Sequence, residues 1–293
     1  MTRSRDTLLI WLALAPALLV AGGLFGASLF DGVAQSLGDL AIIGERRLSL
    51  DAYAHVLGGA TPAGREFWVA LGFSLWVSGA STLLAAAGAL LLAVALGGRA
   101  GRAGGGDLLV LNANLALPHL VWAIALLLLL AQSGLVARIA AALGLIHIPA
   151  DFPVLVRDRA GLGIILHYVG KETPFLALLV LAVLRTQGQA YDAVAATLGA
   201  GPWQRLRRVT LPLVLPGLAA GSLLVFAFIF GAYEVPALLG VRYPRALAVL
   251  ALDYFANPDL GRRAEGMAIS LIMALVVVAV AGLGRALGGT HAG

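Results

Sequence analysis

The chain has 293 residues; 60% are hydrophobic, only 12% are charged, the formal charge is +5, and there is no cysteine. A soluble domain carries about twice that charged fraction, so solvation by water on all sides is excluded, as are disulfides, thiolate metal sites and cysteine nucleophiles. The positive charge does not require nucleic acid, because basic residues of membrane proteins gather beside anionic lipid.

A membrane-crossing helix needs about 20 apolar residues. Six segments qualify, near 8–30, 67–96, 108–131, 161–184, 213–240 and 265–287. The first follows Arg3 and Arg5 as a signal peptide would. Its apolar run from Leu8 to Phe30 outlasts a secretory core of about 7–15 residues, so it reads as a retained span. The second is long enough to tilt. Gly97, Gly98 and Gly104 to Gly106 mark a tight loop before the third. Residues 150–160, with Asp151, Pro153, Arg157, Asp158 and Arg159, read as a solvated loop. The fourth span is the least regular, since it contains Lys171, Glu172 and Pro174. The connecting segments 31–66, 97–107, 132–160, 185–212 and 241–264 are too short for a soluble domain. The whole chain, 1–293, therefore reads as one all-α polytopic membrane domain with six transmembrane helices.

An even number of spans places both termini on one side. If that side is the cytoplasm, the inner segments hold Arg3, Arg5, Arg99, Arg102, Arg185, Arg205, Arg207, Arg208 and Arg285. Few acids accompany them: Asp6, Asp107 and Asp192. On the other side the loops are longer and their arginines are interleaved with acids. The two sides hold similar numbers of arginines, so a raw count does not decide; the scarcity of acids among the inner arginines favours cytoplasmic termini.

The segment 185–212 is the most informative. Asp192 suits the N-terminus of a short helix. Ala195 with Gly199, and Ala196 with Ala200, form two small rows at i,i+4 spacing. Gly199 and Gly201 permit a sharp reversal, and Pro202 suits the first position of a second short helix. That helix carries Trp203, Leu206 and Val209 beside Arg205, Arg207 and Arg208, and ends at Leu211-Pro212. The pattern predicts an amphipathic helix–turn–helix at the membrane surface.

These residues resemble the EAA loop of binding-protein-dependent ABC importer permeases of the six-span type I (MetI-like) class. The family has Glu-Ala-Ala, then a Gly followed by nine residues, an aliphatic residue, any residue, and Leu-Pro. Here Gly199 is followed by nine residues and then Val209, Thr210, Leu211 and Pro212. The departure is at the start: Ala193 stands for the family's Glu, Val194 for its first Ala, and Asp192 lies one residue early. The resemblance covers roughly 67–287. It implies that 185–212 is a cytoplasmic coupling helix seated on a separate ABC ATPase, that a second permease subunit (the same chain or a sister) completes the path, and that a periplasmic or lipid-anchored solute-binding protein delivers the solute. It implies the bacterial inner membrane as the location. The chain has no phosphate loop of its own. It is expected to bind no cofactor or metal, ATP being held by the partner, and not to be catalytic.

Ionisable groups at bilayer depth mark candidate sites. Lys171 and Glu172 lie mid-span on different faces; His167 shares a face with Lys171 and Tyr168 with Glu172. Pro174 frees a carbonyl near Gly170. Tyr233 and Glu234 sit beside Pro236 late in the fifth span, as at a broken helix. Asn112, Asn114 and His119 open the third span, where Asn side chains bond between helices. An intra-bundle polar network and a solute path both fit these residues. The run from Phe226 to Gly240 resembles the spermidine/putrescine-like branch and points to a polyamine-like or other small polar organic solute. An ATP-independent secondary transporter or channel is the alternative, but no internal repeat supports it. A membrane enzyme lacks support too, since His55, His119, His147, His167 and His291 show no metal-ligand spacing and no nucleophile elbow is present.

Overall fold

The computed structural model describes residues 2–40, 43–97 and 105–289, with the backbone alone for 2–10, 45, 97, 105–108, 187, 189, 283 and 285–289. Six helical stretches are long and apolar enough to cross a membrane: Trp11–Ser36, Pro62–Leu96, His119–Ala142, Leu162–Thr186, Pro202–Gly231 and Leu260–Gly282. Of the expected tight glycine loop, Gly98 and Gly104 lie outside the described residues, as do Arg99 and Arg102, whereas Gly97 ends the helix Pro62–Gly97 and Gly105 and Gly106 begin the helix Gly105–Ala116.

The chain divides into two compact units, 1–68 with 250–272, and 69–249 with 273–293. In the first, α1 (Thr2–Ser36) leads through a two-residue hairpin, β1 (Asp39–Leu40) and β2 (Glu45–Arg46), to α2 (Asp51–Leu57) and the start of α3 (Pro62–Gly97). Gly64 N–H donates to Thr61 Oγ1 at 2.9 Å, which closes the first turn of α3. The later part of α12 (Leu247–Phe255) and the start of α13 (Arg263–Gly289) complete the unit. Leu40 and Ala52 bury against Ala264 and Ala268. Nearby, His55 Nδ1 lies 3.4 Å from Glu265 Oε1, and the Arg263 guanidinium sits 4.1 Å from the centre of the Phe255 ring.

The second unit is built around α7 (Leu162–Val183), of which a dozen residues are buried. On α3, Ala85, Ala89 and Ala93 recur every four residues on one face and are wholly buried in the same cluster as Leu176, Ala177 and Val180 of α7. Small residues give lipid-embedded helices this close approach. α10 (Leu211–Gly231) meets α7 the same way, for a Cβ on Gly221 would stand 3.0 Å from both Leu176 and Leu179.

The third predicted span, 108–131, is not one helix. It is α4 (Gly105–Ala116) and α5 (His119–Leu130), cut at Leu117-Pro118, and the apolar stretch continues beyond 131 into α6 (Leu135–Ala142). Pro118 has no N–H to give Asn114 and sits extended at φ −59, ψ 145, so the helix cannot run through it. The fifth predicted span, 213–240, also shifts. Helix runs unbroken from Pro202 to Gly231, and α11 (Glu234–Leu239) stands apart beyond Ala232 and Tyr233. The segment 241–264, expected to be only a polar connection, contains the apolar helix α12, whose Leu247 N–H donates to Ser74 Oγ of α3 at 2.7 Å.

Residues 150–160 form a loop, as expected, with Asp151, Pro153, Arg157 and Arg159 exposed and Asp158 buried. Arg157 N–H donates to Leu239 O at 2.8 Å, and Trp76 Nε1 donates to Ala160 O at 2.9 Å. The buried Asp158 carboxylate accepts the N–H groups of Leu162 and Gly163 at 3.0 and 3.3 Å, satisfying two orphan donors of α7. The exposed Asp151 is held below the usual carboxylate range by the N–H groups of His147 and Ile148.

Candidate functional site

Two constellations stand out in the second unit. The first is the 185–212 hairpin. After α7 the chain widens into a π turn, Leu184–Gly188, and continues as α8 (Gln189–Thr197). Asp192 lies in the first turn of α8, as expected, but it caps nothing, because Gly188 before it is already helical. The Asp192 carboxylate instead reaches across the hairpin to Arg205 Nη1 at 2.8 Å. α8 ends in a Schellman turn: Ala200 N–H donates to Ala195 O and Gly199 N–H to Ala196 O, both at 3.0 Å, with Gly199 at φ +79. Gly201 is extended, so only one of the two expected glycines makes the reversal. α9 (Pro202–Arg205) starts with Pro202 at its first position, and Gln204 Oε1 accepts the Gly201 N–H at 3.2 Å. The second helix is not separate from the span. It runs through a π turn, Leu206–Thr210, into Leu211 and Pro212 of α10.

The hairpin is closed internally and apolar externally. Leu198 is 81% and Trp203 69% exposed, with Tyr191, Val194 and Ala193 also open. Arg207 and Arg208 are exposed beside them, whereas Arg205, Ala195, Ala200 and Leu211 are half-buried and Pro212 is exposed.

The second constellation lies where α7 passes the α4–α5 break. Lys171 Nζ donates to Asn114 O and to Leu117 O, each at 2.7 Å. In return Asn114 Nδ2 donates to Gly170 O at 3.4 Å, the carbonyl that Pro174, four residues on, leaves without a helical donor. The two prolines thus take helical donors from carbonyls on facing helices, and each is met by a side chain of the other helix, Asn114 O also accepting the Leu117 N–H at 3.3 Å. Glu172 points elsewhere, as expected: its Oε1 lies 3.7 Å from His119 Nε2. His119 Nδ1 is 3.2 Å from His167 Nε2, and the His119 ring stands 5.1 Å from that of Phe228. Glu234, exposed at the start of α11, is within electrostatic range of His119 and Tyr168. Neither of the two bonds made by the Lys171 ammonium goes to Glu234. Tyr233 is 42% exposed. Asn112 is exposed on α4 and forms no part of the Lys171 pair of contacts. Sequence reasoning missed the break itself and the His119–His167 contact; Pro118, four residues after Asn114, was the available signal.

A mostly helical chain with six membrane-length helices and such a hairpin defines a multi-pass membrane protein of the transport-permease class. The chain belongs to the family described as binding-protein-dependent transport system inner membrane component, which matches residues 12–288. It is 34% identical over 170 residues to the molybdenum transport system permease protein ModB of Mycobacterium tuberculosis (strain ATCC 25618 / H37Rv), covering 56% of this chain and 58% of that one. It is 31% identical over 166 residues to the inner membrane ABC transporter permease protein YnjC of Escherichia coli (strain K12), covering 56% of this chain and 30% of that one. The chain thus matches less than two thirds of either relative's length. In fold it is similar to a bacterial ABC transporter involved in the import of the acidic polysaccharide alginate, with a TM-score of 0.71, 16% identity, and 97% of this chain and 99% of that chain covered. The family is one of transport components and not of catalysts.

Proposed function

We propose that this chain is the permease half of an ATP-driven importer in the bacterial inner membrane, with both termini and the 185–212 hairpin in the cytoplasm. The observation that carries the reading is the hairpin. A self-closed helical knob presents Leu198 and Trp203 to its surroundings among arginines, on the segment whose spacing resembles the EAA loop. A cytoplasmic ABC ATPase subunit with a complementary cleft is the partner this surface suits. α7 enters the hairpin and α10 leaves it, so a push on the knob acts along both helices. Nucleotide state then biases the path between inward- and outward-facing forms. Asp192 is already paired with Arg205, which leaves Arg207 and Arg208 as the charges offered to the ATPase or to anionic lipid.

A second permease subunit and a solute-binding protein complete the assembly in this reading. The α1 side chains Leu19 and Phe30, 74% and 77% exposed, suit lipid or that second subunit. The test is co-purification. Full-length protein is expected to retain its ATPase, and deletion of Gly199 to Arg208 is expected to abolish retention while membrane insertion persists. Retention by the deletion variant contradicts the coupling role.

For the solute we favour a small oxyanion or phosphonate over the polyamine first expected. The support is that relatives are named for molybdenum and for 2-aminoethylphosphonate. Titration of the cognate binding protein is expected to show binding of molybdate or 2-aminoethylphosphonate and none of putrescine. Putrescine binding would restore the polyamine reading.

A further inference from the structure

We infer that the α4–α5 break is a monovalent-cation site whose cation the chain supplies itself, as the tethered ammonium of Lys171. Three observations converge. First, two main-chain carbonyls, Asn114 O and Leu117 O, meet at one point, and Lys171 Nζ sits 2.7 Å from each. Second, those carbonyls lack their helical donors for a covalent reason, Asn114 O keeping only a 3.3 Å bond from the Leu117 N–H of its own last turn. Pro118 cannot donate to Asn114 O, and the extended backbone at Pro118 takes Leu117 O out of the helical ladder. Third, Lys171 is 2% exposed, and the Glu172 carboxylate, though turned to His119, is within electrostatic range. Carbonyls of an interrupted helix beside a carboxylate are how membrane transporters hold a small coupling cation. Here a primary ammonium on a four-carbon tether occupies that position, so no cation from solution is needed or admitted.

The consequence is a positioning role for Lys171, which takes it off the solute path. The ammonium fastens the broken helix to α7, while Asn114 Nδ2 fastens α7 to the break through Gly170 O. Helices α4, α5 and α7 then move together. The inference does not depend on the ATPase or on the solute, and its test uses neither.

The full chain in detergent is followed by thermal melting. Lys171→Met, of similar length but without charge, is expected to melt several degrees below wild type. Lys171→Ala is expected to melt lower still, and n-propylammonium, which replaces the deleted atoms, is expected to raise that melting point in a saturable way. The same salt is expected to leave wild type and Lys171→Met unmoved, and tetramethylammonium at equal ionic strength to leave all three unmoved. A Lys171→Met protein that melts with wild type, or a Lys171→Ala protein indifferent to n-propylammonium, overturns the inference. If the single variants do not accumulate, the folded yield becomes the readout. Adding Pro118→Ala to Lys171→Met returns an N–H to Asn114 O and is expected to recover folded protein several-fold; equal yields of the single and double variants overturn the inference as well.

Discussion

Trp203→Ala is expected to weaken binding of the ATPase about 30-fold while leaving membrane insertion unchanged. The size follows from where the side chain stands. Trp203 is 69% exposed at the turn of the hairpin, and Leu198, on the other side of the Gly199 reversal, is 81% exposed. Large apolar side chains held out on a rigid turn are the type that dominate protein–protein interfaces, where truncation of an anchor costs about 2 kcal/mol or more. At about 1.4 kcal/mol per tenfold, that is close to 30-fold in affinity. The Asp192–Arg205 pair supplies a contrast inside the same hairpin. Its side chains are 47% and 28% exposed, and a pair so wetted stabilises by only about 0.2–1 kcal/mol. Asp192→Asn should therefore change affinity less than about fivefold. Titrating purified ATPase into the solubilised chain separates the two effects, and unchanged affinity for Trp203→Ala would remove that side chain from the interface.

Gly161→Val is expected to destabilise the second unit strongly. Gly161 precedes α7 with φ +75, a region that costs an L-residue about 1–2 kcal/mol. An added Cβ would also stand 2.8 Å from Val77 Cγ2 and 3.1 Å from Phe73 Cζ, overpacking that costs about 1–3 kcal/mol. The sum, about 2–5 kcal/mol, is a large fraction of a typical domain's stability. It falls beside Asp158, whose carboxylate closes the first turn of α7. Gly199→Ala is the control: φ is +79 but nothing lies within 4 Å, so only the backbone strain remains. Thermal melting should show the larger drop for Gly161→Val, and an equal drop for the two would mean that the contact with α3 yields without cost.

What the sequence made legible was local. Apolar length found six spans and placed all but the third and fifth closely, and the Gly199 reversal and Pro202 start were readable because a turn's chemistry sits within a few residues of it. The pairing of Asp192 with Arg205 was not, because thirteen residues separate them in the chain and only the closed hairpin brings them together. α12 escaped notice because a buried helix of nine residues is too short for a search tuned to membrane thickness. The break at Pro118 is the instructive case. Pro174 was noted because it lies beside Lys171 and Glu172, whereas Pro118 lies in an apolar run where only its missing N–H betrays it. Both prolines remove the donor owed to a carbonyl four residues earlier, Asn114 in one helix and Gly170 in the other. That these two residues face each other is a tertiary fact.

The side of the membrane on which Leu198 and Ala200 lie bears most directly on the whole account. The chain contains no cysteine, so a single cysteine placed at either position is a clean target for a membrane-impermeant thiol reagent. We predict labelling in inside-out vesicles and none in intact spheroplasts. Labelling from the outside of spheroplasts would put the hairpin beyond the reach of any cytoplasmic ATPase and contradict the coupling role.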